Sequence, residues 1–183
     1  MLILPGFSFI RLDWESRPER GMAIIHKKAI PIKAFTTNHY PIFEYLGTKL
    51  TTKGTLPIKL HTIYHPPGDN QTFLDHFSAL ITDSALTDCH NIFLGDLNLH
   101  WNDPMSQSVK DLTTILNLHD LHQLCNGPTH NKGSTLDAII TKSYLVSLKT
   151  TTPLDWSDHY LILFNINTRL RDMLLLKKNN HIT

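Results

Sequence analysis

The sequence predicts an α/β fold in which mixed β-sheets are layered with a few helices, and three observations carry that expectation. The first half alternates apolar and polar residues at the two-residue period of strands. The period then lengthens to three and four residues over two stretches, as on helices packed along one side. In the second half, short apolar runs of buried-strand type end or begin on acidic, amide and imidazole groups. Strands interleaved with few helices, some of them joined by hairpins, give layered sheets rather than a bundle or a barrel.

The elements follow in order. Phe7-Ser8-Phe9-Ile10 alternates, and Met22-Ala23-Ile24-Ile25 is a short buried run. Residues 11–20 between them are charged, contain Pro18 and are expected to form an exposed loop or hairpin tip. Strands are expected over Ile42–Leu50 and Leu56–Tyr64, with Thr51-Thr52-Lys53-Gly54 as the hairpin turn. Pro66-Pro67-Gly68-Asp69 breaks the pattern, and Phe73, Phe77, Leu80 and Ile81 then predict a helix over Gln71–Leu86. A strand at Asn91–Leu94, a helix at Ser106–Leu116 with Val109, Leu112 and Ile115 on one face, and strands at Leu136–Thr141 and Tyr160–Ile166 complete the reading. Residues 1–168 are expected to form one domain, and 169–183, Leu-rich and basic and then polar, a tail or linker.

Composition sets the bounds. At 183 residues, with 41% hydrophobic and 18% charged residues, the chain is globular and sized for one core. A net charge of +1 supplies no broad field for nucleic acid, so any such affinity must come from a local patch. Two cysteines, Cys89 and Cys125, have neither metal-ligand spacing nor disulfide-scaffold density. With no signal peptide and no apolar run near the roughly 20 residues of a membrane span, an intracellular location is expected, nuclear if the chain is functional.

Three motifs carry chemistry: Gly95-Asp96-Leu97-Asn98, Gly133-Ser134-Thr135-Leu136-Asp137 and Ser157-Asp158-His159. Asp96 and Asn98, two apart on extended backbone, project to one side and offer a hard oxygen and an amide. Asp158-His159 pairs a carboxylate with an imidazole, and a carboxylate such as Asp137 could orient that ring through its other nitrogen. Tyr64, just before Pro66-Pro67, could bring a phenol to a phosphate. Carboxylates and amides suit Mg2+ or Mn2+ rather than zinc, and phosphodiester hydrolysis needs this kind of set. Each motif alone is commonly a turn or cap; the ordered trio, each member beside an apolar run, is the stronger signal.

This order of motifs resembles the endonuclease/exonuclease/phosphatase superfamily. More narrowly, Gly127-Pro128-Thr129-His130-Asn131-Lys132-Gly133-Ser134-Thr135-Leu136-Asp137, with Tyr64-His65-Pro66-Pro67 upstream, is similar to the apurinic-type endonuclease domain of non-LTR retrotransposons. The resemblance covers roughly residues 5–167. It implies a sandwich of two mixed β-sheets flanked by helices, and Mg2+-dependent nicking of DNA through its phosphate backbone. It also implies a reverse transcriptase domain in the full-length ancestor.

Carried onto this chain, the resemblance has Asp96 orienting or activating the attacking water and Asn98 holding the scissile phosphate. Asp158 would be a metal-site carboxylate and His159 a base or phosphate-stabilising imidazole. Asp137 would support His159, Tyr64 would contact the phosphate, and Thr129 is a weaker candidate behind them.

The resembling family begins with a strand bearing an asparagine and another ending in a metal-binding glutamate. Both lie upstream of Pro5-Gly6, so the fold is expected to be incomplete at the N-terminus and the activity impaired. Glu15 and Glu19 are not expected to replace that glutamate. His65, where the family often has Arg, is expected to weaken phosphate contact. The alternatives are an inactive fragment, a weak nucleic-acid-binding module, or a phosphatase or phosphodiesterase of the same superfamily.

Overall fold

The computed structural model describes residues 4–14, 17–35 and 40–167. Their elements are β1 (Phe7–Trp14), β2 (Arg17–Lys27), β3 (Ile32–Ala34), β4 (Glu44–Leu50), β5 (Ile58–Tyr64) and α1 (Asn70–Ala85). There follow β6 (His90–Asp96), α2 (Gln107–Leu118), β7 (His122–Gln123), β8 (Asp137–Thr141), β9 (Val146–Leu154) and β10 (Ser157–Ile166). The expected tail, 169–183, lies outside the described residues.

A six-stranded mixed sheet runs in the order β3-β4-β5-β6-β8-β7. Its one parallel pair, β5 with β6, is the pair that α1 connects. A parallel neighbour needs such a crossover, and the α1 sequence supplies it. Asp69 caps the helix by accepting the Thr72 backbone N–H at 3.0 Å. From α1, Phe73, Phe77, Leu80 and Ile81 are buried with Leu112 and Leu116 of α2 against Ile63, Phe93 and Ile140 of the sheet.

The opposite face is covered by β9 and β10. Leu148, Ile162, Phe164 and Ile166 pack there on a cluster containing Ile58, Ile92 and Ile139, with Leu60 and Leu94 beside it. Odd and even positions along β5, β6 and β8 therefore serve opposite faces, which makes the whole a layered sandwich. In β6 and β8 the apolar runs Ile92-Phe93-Leu94 and Ala138-Ile139-Ile140 are continuous because both faces are buried there. Phe77 is fully buried between α1 and the sheet, so Phe77→Ala is expected to destabilise the chain by about 3–5 kcal/mol, read as a lower urea midpoint.

The structure differs from the expectation in the outer strands. They form two separate antiparallel pairs, β1–β2 and β9–β10, beside the single mixed sheet. Residues 11–14 and 17–20, expected within an exposed loop or hairpin tip, lie at the end of the β1–β2 hairpin: the ladder runs on through Asp13 facing Gly21, and its register then shifts so that Trp14 faces Arg17. A two-stranded ribbon pairs through its backbone and has open faces, so charge along it is no obstacle. The strand β9 has no signature in the periodicity because its second half, which includes Lys149-Thr150-Thr151-Thr152, is polar on both faces.

One buried polar chain crosses the helical layer. The Tyr45 hydroxyl meets His61 Nδ1 at 2.8 Å, and His61 Nε2 meets Asn91 Oδ1 at 3.1 Å, which fits a neutral ring. Burial pushes the His61 pKa down from 6.5 to about 4. Between these values the unfolded chain binds more protons than the folded one, so stability rises with pH across the window. Stability is thus expected to hold above pH 6.5 and to fall by about 3 kcal/mol as the pH drops to 4. Urea titrations at several pH values check this, and His61→Gln should remove most of the slope.

Candidate active site

Backbone register assembles the site. Glu44 faces Tyr64 across β4 and β5, Tyr64 faces Asp96 across β5 and β6, and Asp96 faces Asp137 across β6 and β8. These four positions form one row across the sheet and, by alternation, share the face covered by β9 and β10. His159 arrives from β10. The Ser157-Asp158-His159 motif lies within that strand, which begins at Ser157 rather than at Tyr160.

Gly95 lets β6 end where it does. Its φ of +134° is a conformation that L residues rarely adopt, and a Cβ built there would lie 1.9 Å from the Ile63 carbonyl oxygen. Beyond it the chain turns, and Asn98 sits in the left-handed region at φ +49°. Asp96 Oδ1 accepts the Asn98 backbone N–H at 2.9 Å, and Asp96 Oδ2 accepts its side-chain amide at 3.2 Å. The same amide donates to the His65 carbonyl at 2.8 Å. Both amide hydrogens of Asn98 are thus committed to the turn, and an added phosphate would have to displace the 3.2 Å contact.

His159 lies between two carboxylates. Its Nδ1 is 2.9 Å from Asp137 Oδ2, and its Nε2 is 3.8 Å from Asp96 Oδ2. Partial burial works to lower its pKa. The hydrogen bond that Asp137 accepts from Nδ1 and the charges of Asp137, Asp96 and Asp158 outweigh that, so the pKa stands above the ordinary histidine value. Burial raises the Asp96 pKa, the Asn98 N–H opposes it, and the nearby Asp137 charge adds to it.

Behind Asp137, the fully buried Thr129 Oγ1 accepts the backbone N–H groups of Leu136 and Asp137 at 2.9 and 3.0 Å. Thr129 therefore fixes the start of β8. The segment after Thr129 is zipped to β10, with the Tyr160 N–H on the Thr129 carbonyl and the Asn131 N–H on the Asp158 carbonyl, both at 2.8 Å. His130 consequently sits beside the site, its ring centroid 5.1 Å from that of His159 and its Nε2 3.5 Å from Asp158 Oδ2.

Of the residues singled out in the sequence, Asp96, Asn98, Asp137, Asp158 and His159 converge here. Tyr64 is half-buried, next to Asp96 in the row. His65 is elsewhere. It is fully buried, its Nδ1 bonds to the Leu97 carbonyl at 3.0 Å, and its ring stacks on Phe73 at 4.2 Å. It is a core residue on the helical face of the sheet, not the stand-in for a phosphate-binding arginine. His130 belongs to the Gly127-to-Asp137 stretch, and its proximity to Asp158 depends on the loop–β10 pairing, which spacing alone does not reveal.

His130, Asp158 and His159 offer ligand atoms within 4.8 Å of one another. The Asp158 side chain is 67% exposed and can present oxygen to a hard cation. Mg2+ commonly takes one or two carboxylates and completes its shell with waters and substrate phosphate, and Asp158 fits that pattern.

Residues 58–163, more than half of the chain and the part that holds every group above except Glu44, match a family model described as endonuclease-reverse transcriptase. The chain belongs to this endonuclease-reverse transcriptase family. The solved structures that resemble it include the endonuclease domain of TRAS1, a telomere-specific non-LTR retrotransposon. That domain is 17% identical with a TM-score of 0.70, and the match covers 91% of this chain and 81% of that one. D. rerio TDP2 complexed with single-strand DNA product is 15% identical with a TM-score of 0.58, covering 87% and 77%. A mannosyl-6-phosphatase of Bacteroides thetaiotaomicron is 12% identical with a TM-score of 0.60, covering 90% and 78%. At these identities the likeness speaks for the endonuclease/exonuclease/phosphatase fold alone. No curated protein matches the chain. Members of the superfamily are generally dependent on divalent metals. Among the described residues, no helix is long and apolar enough to cross a membrane.

Proposed function

We propose that this chain is a Mg2+-dependent phosphodiester hydrolase of retrotransposon origin that nicks DNA, derived from an ancestor that carried a reverse transcriptase domain and, when functional, acting in the nucleus. The observation that carries the reading is His159 held between Asp137 and Asp96 at the end of the sheet. The carboxylates around it raise its pKa and so shift its balance toward the imidazolium. His159 is therefore suited to stabilising charge that develops on a pentacovalent phosphorus, more than to accepting a proton. Asp96, with its pKa raised by burial, is a better base than an ordinary carboxylate and faces the same space.

Asp96 orients and deprotonates the attacking water in this scheme. Asn98 meets a non-bridging phosphate oxygen after releasing its bond to Asp96, and Tyr64 lies next along the row to flank the phosphate. Asp158 would hold the Mg2+, or Mn2+ in its place. A divalent ion bound there supplies charge neutralisation on the phosphate oxygens. With net charge +1, affinity for the DNA backbone is expected to be modest and to fall steeply with salt.

The test is nicking of supercoiled DNA by the chain and by Asp96→Ala and His159→Ala. Loss in both variants supports the reading. DNA binding with no metal-dependent turnover would replace it with a binding module, and turnover confined to a phosphomonoester would replace it with a phosphatase. EDTA is expected to abolish nicking and added Mg2+ or Mn2+ to restore it. Asp158→Asn should raise the Mg2+ concentration for half-maximal nicking about tenfold or more, as one charged contact worth about 1.5–3 kcal/mol requires.

A further inference from the structure

His130 is buried, next to the reacting groups, and has no part in the scheme above. Its Nδ1 accepts the backbone N–H of Lys132 at 3.2 Å. A nitrogen that accepts carries a lone pair, so the ring's proton is on Nε2. Nε2 lies 3.5 Å from Asp158 Oδ2, a charge–dipole contact longer than a hydrogen bond. The ring also stands edge-to-face against His159, 87° between planes. The segment that carries it is fixed at both sides, through Tyr160 N–H on Thr129 and Asn131 N–H on Asp158.

Two imidazoles and a carboxylate within 4.8 Å would by composition suit a borderline metal such as Zn2+. The tautomer argues otherwise. A metal on Nε2 would need the lone pair there and the proton on Nδ1, directly against the Lys132 N–H.

We propose that His130 is a positioning residue rather than a metal ligand: the Lys132 amide fixes its tautomer, and the resulting Nε2–H steadies the Asp158 carboxylate while its ring backs His159. In catalysis this rests on the hydrolase reading above; the tautomer itself does not. With Asp158 steadied, the carboxylate meets a hard cation in one orientation, which is how groups behind metal ligands usually act.

Three variants separate this from a merely structural role. The amide nitrogen of His130→Gln falls near the Nε2 position and keeps the donor. His130→Asn instead puts its amide near Nδ1, where its oxygen can serve the Lys132 N–H but nothing points at Asp158. His130→Ala keeps neither. Positioning predicts that Asn and Ala each lose about 10- to 100-fold in nicking at limiting Mg2+, and that Gln recovers most of it. Recovery by Asn and not by Gln would mean that His130 only holds the turn, and would overturn the proposal.

The readout independent of activity is the nitrogen NMR of 15N-histidine-labelled chain. A bare Nδ1 and protonated Nε2 are expected for His130, unchanged when Mg2+ or Zn2+ alone is added. The opposite tautomer, or a Zn2+-bound Nε2, would refute it. The His159 Nδ1 proton should shift in the Asn and Ala variants and return in Gln. Should the chain fail to nick DNA at all, the hydrolase reading falls, while these resonances still decide what His130 does.

Discussion

Replacing Asp137 by Asn is expected to lower nicking on the order of 10³- to 10⁴-fold while leaving the fold intact. The side chain keeps its size, and the backbone N–H of residue 137 still bonds to Thr129, so β8 should begin where it does now. What changes is the partner of His159 Nδ1 at 2.9 Å. Asn can present its NH2 there, which forces Nδ1 to accept and moves the proton to Nε2, toward Asp96. It also removes one of the three negative charges that hold the His159 pKa above its ordinary value. The imidazolium then becomes scarcer near neutral pH, and the ring loses its orientation. The alkaline limb of the pH profile should move to lower pH in the variant, a change that simple loss of folding would not produce. Asp137→Asn combined with His159→Ala should be little worse than either alone, since the two act as one unit. Circular dichroism, single-turnover nicking and the pH profile measure these outcomes together. Retention of activity within tenfold would mean that His159 is not oriented through Asp137 during the reaction.

The residue types that gather at this candidate site were legible in the sequence, and their geometry much less so. Gly95-Asp96-Leu97-Asn98 could be read as a strand end because Ile92-Phe93-Leu94 precedes it, and β6 does end at Asp96. The helix over α1 came within one residue at each end, since its apolar spacing and its Asp69 cap are both local. Register is not local. That Tyr64, Asp96 and Asp137 share a row follows from which strands α1 joins and which side β8 pairs on.

The same parity decides His65. One residue beyond Tyr64, it turns to the helical face and stacks on Phe73, which a comparison of residue types with an arginine could not show. The extent of the ribbon β1–β2 was less legible for another reason. Residues 7–10 and 22–25 show strand patterning, but the charge over 11–14 masks how far β1 runs, and the register shift after Asp13 has no signature in spacing. His130 shows the limit most directly. Its placement depends on a bridge to His159 and on a single backbone N–H at Lys132, neither of which has a sequence signature.

Gly95→Ala is expected to be the most disruptive single-methyl substitution at the site, because two independent effects meet there. The first is backbone strain. With φ at +134°, a side chain costs at least the 1–2 kcal/mol or so of a left-handed residue. The second is collision. The added Cβ would lie 1.9 Å from the Ile63 carbonyl oxygen, and that atom is backbone of the adjoining strand, unable to swing aside as a side chain could. Relief requires β5 and β6 to part where Ile63 faces Gly95, one step from the Tyr64–Asp96 pair. The combined loss should be about 4 kcal/mol or more, which lowers the melting temperature by roughly 8–16 °C in a chain of this size. Gly54→Ala is the matched control. Its φ of +79° imposes strain of the first kind, but nothing lies within 4 Å of the added Cβ, and the turn is remote from the site. A small shift for Gly54→Ala beside a large one for Gly95→Ala would assign the difference to the β5–β6 contact. Equal shifts would mean that the strand edge relaxes freely, and that the position of Asp96 does not depend on the close approach Gly95 allows.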